Sequence, residues 1–375
     1  MSFKLNNAVT QIHWQPLTTL LAPSGEKTQV LSGFDDEFID IVDYIIRITH
    51  RIWEQKNVGL CYQYYGDICP VYMLGGYSEC VEQVVQNTLK TIAAFPDRSL
   101  IGENVIWKEE QDNTYYSSHL ITSIMTNTGN SDFGLATNKT GRVTTIADCV
   151  CFENKIIKEW LVRDNSFLIA QLGLDLIDAA INFAKLVPND TFTAWYNEEF
   201  ERVRQTEHRQ VLAFANDDWT VEAFVNSWAQ TLFNQKCFST LTDYYHVAAA
   251  HQWPGGRQST GLAQISGTLI QWLAQCPDAK MTIDHIGVVG FDENTIDIAL
   301  RWSVAGLFFP HNDRLSPLKG ERFFVLGCTH LRVHKQKIVK EVTVFDEISL
   351  YANMIRESGK ALSTTTSMPV LAEGV

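Results

Sequence analysis

The segment Lys155-Ile156-Ile157-Lys158-Glu159-Trp160, which runs on to Asp164, returns as Lys337-Ile338-Val339-Lys340-Glu341-Val342 running on to Asp346. Other pairs keep nearly the same spacing: Tyr64-Tyr65 with Tyr244-Tyr245, Gly75-Gly76 with Gly255-Gly256, and Phe95-Pro96-Asp97 with Cys276-Pro277-Asp278. The offset drifts by only two residues between the tyrosines (Tyr64 to Tyr244) and the closing aspartates (Asp164 to Asp346). A repeat of this length is a whole domain rather than a solenoid element. A chain of 375 residues also exceeds what one core usually organises, so it reads as a tandem duplication.

The net charge of −13 excludes a partner bound through its phosphate backbone, because clustered Lys and Arg carry that affinity; no nucleic acid is expected. No apolar run approaches the length needed to span a bilayer, and Met1-Ser2-Phe3-Lys4 lacks the apolar core of a signal peptide. The expectation is a cytoplasmic chain with no membrane partner. The eight cysteines fall at positions that do not match between the copies, which argues against a shared disulfide framework. Cys149 and Cys151 share one face of a strand, a spacing that packing explains better than a metal, and no metal site is expected.

Each copy gives the same order of elements. Phe38, Ile41, Val42, Ile45, Ile46, Ile48, Thr49 and Ile52 recur at helical spacing, entered from Asp35-Asp36; Val221, Phe224, Val225, Trp228, Leu232 and Phe233 do so in the second copy, with Asp218 or Thr220 as cap. A short helix with the Tyr-Tyr pair, a Gly-Gly turn and another helix ending at Pro-Asp follow. The period then changes to two, predicting strands near 100–109, 114–126, 142–152 and 156–163, and near 280–291, 295–308, 322–333 and 338–346. Helices first and strands after indicate an α+β domain with a curved antiparallel sheet wrapped on helices. The domains are expected at 35–175 and 218–357, with an extension over 1–34, a helical linker over 176–217 and a loose tail over 358–375. Two helical stretches, an apolar one near 167–186 and a charged one near 191–214, divide at Pro188-Asn189-Asp190.

The order of helix, Tyr-Tyr, Gly turn, helix ending in Phe-Pro-Asp, sheet, and Lys-Ile-Ile-Lys-Glu-Trp with an Asp four residues later resembles the SnoaL-like polyketide cyclase family of the NTF2-like superfamily. The resemblance implies two cone-shaped α+β barrels, each with a deep pocket for a hydrophobic small molecule between the concave face of the sheet and the helices. It also implies pairing through the convex face, so that the two copies form an intramolecular pseudo-dimer. Family cyclases close a ring by an aldol step without a cofactor, with an Asp on the last strand as acid/base and a His on the penultimate strand assisting. Asp164 and Asp346 occupy the Asp position. Neither copy carries the full set: the usual Gly-Thr-His strand signature is replaced by Ser117-Ser118-His119 and by Arg301-Trp302-Ser303.

Alternation puts Trp160 and Val162 on the face of Asp164, and Val342 and Val344 on that of Asp346. A carboxyl among apolar neighbours is desolvated, which raises its pKa toward neutrality. The same aspartates are also suited to cap the following helices. His119 and His330 are the candidate assisting histidines; if the second hairpin turns at Lys335-Gln336, Leu326 faces Asp346 and His330 lies about 13 Å along the strand. Candidate ligand contacts are Tyr64, Trp160, Tyr244, His251, Trp253, Trp302 and Arg332. Three functions stand: a general acid/base enzyme (cyclase, isomerase, dehydratase or hydrolase-like) on an apolar carbonyl compound, a non-catalytic carrier, and an interaction module whose pockets are filled by its own aromatics.

Overall fold

Strand signals after each Pro-Asp become four long strands per copy in the computed structural model, which describes residues 9–22, 26–111, 113–206 and 219–365. In the first copy they are β3 (Ser99–Glu109), β4 (Tyr115–Thr126), β5 (Thr140–Phe152) and β6 (Lys155–Arg163); in the second, β9 (Lys280–Asp292), β10 (Thr295–Leu307), β11 (Arg322–His334) and β12 (Lys337–Phe345). The expected register of the last hairpin is present: Lys335 and Gln336 turn at positive φ, and Gly327 faces Phe345, which sets Leu326 opposite Asp346.

The strict order of helices before strands needs correction. A hairpin, β1 (Ile68–Met73) and β2 (Gly76–Cys80), turns at the first Gly-Gly pair, and β7 (Tyr245–Trp253) with β8 (Arg257–Thr260) turns at the second. Gly255 and Gly256 both need positive φ (75° and 71°), which Gly tolerates without strain. β1 pairs in parallel with β6, and β7 with β12, giving two six-stranded sheets of order β2-β1-β6-β5-β4-β3 and β8-β7-β12-β11-β10-β9. Among the described residues neither sheet closes into a barrel: β2 and β3, like β8 and β9, are edges at opposite ends of their sheets with no further strand paired to them, and helices fill the concave side.

Those helices are α2 (Ile41–Thr49) and α4 (Val81–Ala94) in the first copy, with the short α1 (Leu17–Leu21) and α3 (Cys61–Tyr64), and α8 (Val221–Trp228) and α10 (Leu262–Leu273) in the second, with the short α9 (Leu241–Tyr244). α2 starts later than the Asp35-Asp36 expectation, because Asp40 caps it by accepting the Asp43 N–H at 2.8 Å. Thr220 caps α8 through the Ala223 N–H; the alternative cap, Asp218, lies outside the described residues. Both helices pass into a π-helical turn, His50–Glu54 and Ala229–Asn234, a local irregularity repeated in both copies.

Between the sheets, the predicted apolar stretch is two helices, α5 (Asn165–Leu172) and α6 (Leu176–Ala184), because Gly173 takes a left-handed conformation and ends the first. The charged stretch is α7 (Asp190–Gln205); its predicted continuation to 214 lies outside the described residues beyond Thr206. α6 and α7 bury Ile177, Ala180, Phe192, Tyr196 and Phe200 in the core of the second copy. The final helix, α11 (Glu347–Ser358), follows β12 as α5 follows β6. Part of the predicted tail is held, since Arg314 donates to the Ser363 carbonyl, while 366–375 lie outside the described residues. Among the described residues no single helix is long and apolar enough to cross a membrane.

The sheets meet back to back. Leu120, Ile146 and Val162 of the first pack on Leu326, Cys328, Val342 and Val344 of the second in one buried cluster. The hairpin turns reach further: Asn353 on α11 donates to the Leu74 carbonyl, and the Gly255 N–H donates to Asp164. Each turn thus rests on the helix that follows the other copy's last strand.

Candidate functional site

β6 sorts its side chains between two environments. Trp160 and Val162 face the second sheet, whereas Glu159, Leu161 and Arg163 face inward, opposite Cys149, Ala147 and Thr145 of β5. In β12, Val342 and Val344 face the first sheet and Glu341, Thr343 and Phe345 face inward. The apolar face expected to line a pocket is the face buried between the copies. The inward carboxylate of the repeated motif is the glutamate.

Asp164 and Asp346 accordingly lie at the junction. Asp164 Oδ1 accepts from the Phe167 N–H (3.1 Å), the Ser166 hydroxyl (2.8 Å) and the Gly255 N–H (2.8 Å). Asp346 accepts from the Ile348 and Ser349 N–H groups, the Ser349 hydroxyl and Asn165 Nδ2 (2.7 Å). Burial pushes Asp164 up to about 6 against these donors and raises Asp346 likewise. Both are helix caps that also tie the copies together.

The first copy has its own apolar core, but part of its inner wall is polar and incompletely covered. Ala147 and Leu161, on the inner face of the two central strands, are only partly buried, as are Met73, Val84, Val85 and Ile92 on β1 and α4. Glu159 stands on this wall, 5 % exposed; burial pushes its carboxyl up to about 7 despite Arg163 and a hydrogen bond with Tyr65. Arg163 is half-buried, and desolvation is the largest influence on its pKa and pulls it down. Arg98 donates Nε and Nη2 to Ser123 Oγ (3.1 and 3.0 Å) and lies 4.4 Å over the Trp53 ring; burial draws it to about 9, still charged at neutral pH. Among the described residues neither arginine has a carboxylate within ion-pair distance. Among the described residues, polar atoms buried here without a hydrogen-bond partner include Thr145 Oγ1, opposite Arg163 in the register, and Nε2 of His119, whose pKa burial lowers to about 4. The wall thus offers one carboxyl that titrates near neutrality, two guanidiniums, a neutral imidazole and a free hydroxyl.

The second copy fills the same space with its own rings. At the row where the first has Arg163, Thr145 and Ile121, it has Phe345, Gly327 and Trp302. A Cβ on Gly327 would lie 2.2 Å from the Trp302 ring, so only Gly admits it. Trp302 donates Nε1 to Thr329 and meets Trp272 at 6.5 Å and Phe345 at 6.1 Å between ring centroids, while Trp253 packs on both of these at 5.5 and 5.9 Å. Glu341 is enclosed and saturated: Tyr245 donates at 2.5 Å, Trp253 Nε1 at 2.7 Å and Thr343 at 2.7 Å, and His251 Nε2 lies 3.4 Å away. Burial raises its pKa most, but His251 and these donors outweigh it, and the carboxylate sits below its ordinary range.

The remaining candidates are dispersed. His330 lies between the sheets, 2.8 Å from Ser118 Oγ, which also donates to Asp148 at 2.6 Å; burial draws the imidazole down to about 3. Arg332 is paired with Asp297 through two 2.8 Å bonds. Trp160 packs at the junction, with Arg301 3.5 Å over its ring. Tyr64 and Tyr244 are core residues bonded to Arg51 and to Ser227 and Thr231; the next residue of each pair, Tyr65 and Tyr245, reaches the glutamate. Sequence reasoning missed Glu159, Glu341, Tyr65, Tyr245, Thr145, Arg163 and Arg98. The signal for the first four was present: both tyrosine pairs and both Lys-x-x-Lys-Glu segments recur intact.

No protein-family model matches the chain, and no curated protein matches it. Solved structures do. A protein from Jannaschia, assigned provisionally as a SnoaL-like polyketide cyclase, is similar over 35 % of this chain and 90 % of its own, at 13 % identity and a TM-score of 0.31. TsrD from Streptomyces laurentii is similar over 38 % and 99 %, at 16 % identity and a TM-score of 0.31. A protein from Catenulispora acidiphila with a ketosteroid isomerase-like fold, solved with trimethylamine, covers 38 % and 99 % at 19 % identity, with a TM-score of 0.30.

Proposed function

We propose that the first copy's interior binds a largely apolar small molecule bearing a carbonyl or acidic oxygen and exchanges a proton with it through Glu159, while the second copy serves as a covalent partner that completes the junction. The observation that carries this reading is the contrast at equivalent positions: a partly uncovered wall with Glu159, Arg163 and Thr145 in one copy, against Trp302 and Phe345 in the other. A carboxyl at about 7 is present in both protonation states at neutral pH, the condition for general acid/base work. In the step we infer, the Glu159 carboxylate takes a proton from the carbon next to the carbonyl. The C–H electron pair becomes the enolate, and the negative oxygen is stabilised by Arg163 and the Thr145 hydroxyl. The protonated Glu159 then returns the proton to carbon. Arg98 adds positive charge to the same interior.

Deuterium uptake at the α-carbons of 2-tetralone, followed by proton NMR in heavy water, tests this reading. Saturable exchange above the buffer rate is expected, falling at least a hundredfold in Glu159→Gln and severalfold in Arg163→Leu. Exchange equal in the wild type and Glu159→Gln rules out the assignment. Saturable binding without exchange, lost in Arg163→Leu, would replace the enzyme with a carrier.

A further inference from the structure

A concavity opens beside the ring cluster that fills the second copy's interior and shares Trp253 and Trp272 with it. It occupies about 360 Å³ between α6, α10, α11 and the short helical segment Asp313–Leu318, a volume at the lower end of those that hold small molecules. Its inner wall is aromatic. Trp253 and Trp272 meet edge to face at 5.5 Å, and Tyr351 stands beside them, its hydroxyl donated to Gln275 at 3.3 Å. Trp253 has its N–H committed to Glu341 behind the wall, so it offers the cavity ring surface and no donor. Leu176 and Ile177 of α6 close the other side, so the connecting segment contributes one wall to a site otherwise built from the second copy.

The charges at the rim are already neutralised. Arg257 pairs with Glu347 at 3.0 Å, and Arg314 pairs with Asp175 at 2.9 Å and with Asp178. A bound anion would compete for guanidiniums that hold carboxylates, and a bound cation would meet carboxylates that hold guanidiniums. What remains unspent is ring surface, with the amide of Gln271 and the imidazole of His311 at the exposed mouth. Ring surface favours stacked or edge-on aromatic partners, and the amide and imidazole suit one polar substituent pointing outward.

We propose that this cavity is a binding site for a neutral, planar aromatic or heteroaromatic molecule, separate from the proton-exchange site of the first copy. The two sites differ in chemistry: among the described residues the two guanidiniums of the first copy's interior have no carboxylate within ion-pair distance, whereas here Arg257 and Arg314 are each paired with one. The separation means that one chain takes up two dissimilar small molecules.

Isothermal titration of the full chain with 2-naphthol and with its anionic counterpart 2-naphthoate tests the site. Saturable binding of 2-naphthol is expected. It should weaken at least tenfold in Gln271→Trp, where a new ring on the exposed side of α10 fills the mouth, and severalfold in Tyr351→Phe with Gln275→Leu. It should be unchanged in Arg163→Leu. Absence of saturable 2-naphthol binding, binding indifferent to Gln271→Trp while that variant melts like the wild type, or tighter binding of 2-naphthoate at this site would each overturn the proposal. Loss of binding in Arg163→Leu would place the probe in the first copy instead.

Discussion

Asp164 Oδ1 accepts a 2.8 Å hydrogen bond from the Gly255 N–H, so the carboxylate that ends the first sheet's last strand holds the hairpin turn of the second. The same oxygen caps α5 through the Phe167 N–H at 3.1 Å. Removing it in Asp164→Ala deletes a cap and leaves a turn N–H without its partner, a loss of about 2 kcal/mol or more. Asn keeps an accepting oxygen and is itself a good cap, so Asp164→Asn should stay within about 1 kcal/mol of wild type. Denaturant midpoints of the two variants measure the difference, and an Asn variant as unstable as the Ala one would show that charge, rather than acceptance of these bonds, matters.

How much of this could be read from the chain depends on which forces leave a period. The eight long strands were legible because β4 and β10, for example, alternate over a dozen residues between two chemically different sides. The hairpins at Gly75-Gly76 and Gly255-Gly256 were not, since strands as short as Gly76–Cys80 and Arg257–Thr260 carry too few alternations to stand out. The inward face of the last strands was misread for a related reason. A sheet with one wet face shows its core side by hydrophobicity, but here both faces are buried. Trp160 and Val162 looked like a pocket wall because they are apolar, yet they are the contact between copies, and the polar Glu159 and Arg163 face the interior.

Glu159 makes stability depend on pH. Its folded pKa of about 7 lies above the ordinary value of 4.5, so over that interval the folded chain holds a proton that the unfolded chain has released. Stability from this group is therefore fully present below about 4.5, falls as pH rises, and is lost above about 7, by an amount on the order of 3 kcal/mol. Glu159→Gln removes the titration. Relative to wild type, the variant should gain stability steadily between these limits and keep a constant lead above them, as read from denaturant midpoints at half-unit pH steps. Parallel profiles would mean that the carboxyl is not desolvated.

The plug in the second copy predicts a coupled pair. Gly327→Thr drives a side chain into the Trp302 ring, an overpacking of about 1–3 kcal/mol. Trp302→Ile empties part of a packed aromatic cluster, a loss of about 3 kcal/mol. Together they install the first copy's own pair, Ile121 and Thr145, so the threonine moves into space the indole has left. The double variant should lose at least 1 kcal/mol less than the two single losses added. Strict additivity in chemical denaturation would show that the two positions do not compete for one volume.

Arg301 and Asp148 form a charge pair sealed between the sheets, with Nη1 3.3 Å from Oδ2 and side chains 9 % and 0 % exposed. Asp148 also accepts from Tyr116 at 2.8 Å and Ser118 at 2.6 Å, while the guanidinium stacks 3.5 Å over Trp160. The register counterpart of Arg301 in the first copy is Leu120, so an aliphatic side chain fits the strand at this position. Arg301→Leu nevertheless strips a buried carboxylate of its cation and should cost about 3–5 kcal/mol. Asp148→Asn in the same chain removes the stranded charge while keeping an acceptor for Tyr116 and Ser118, and should recover most of that loss. The comparison separates two origins of the penalty. If the double variant is as unstable as Arg301→Leu alone, the loss comes from the missing stack on Trp160 and not from an uncompensated charge, and the pair would then hold the sheets together by packing rather than by electrostatics.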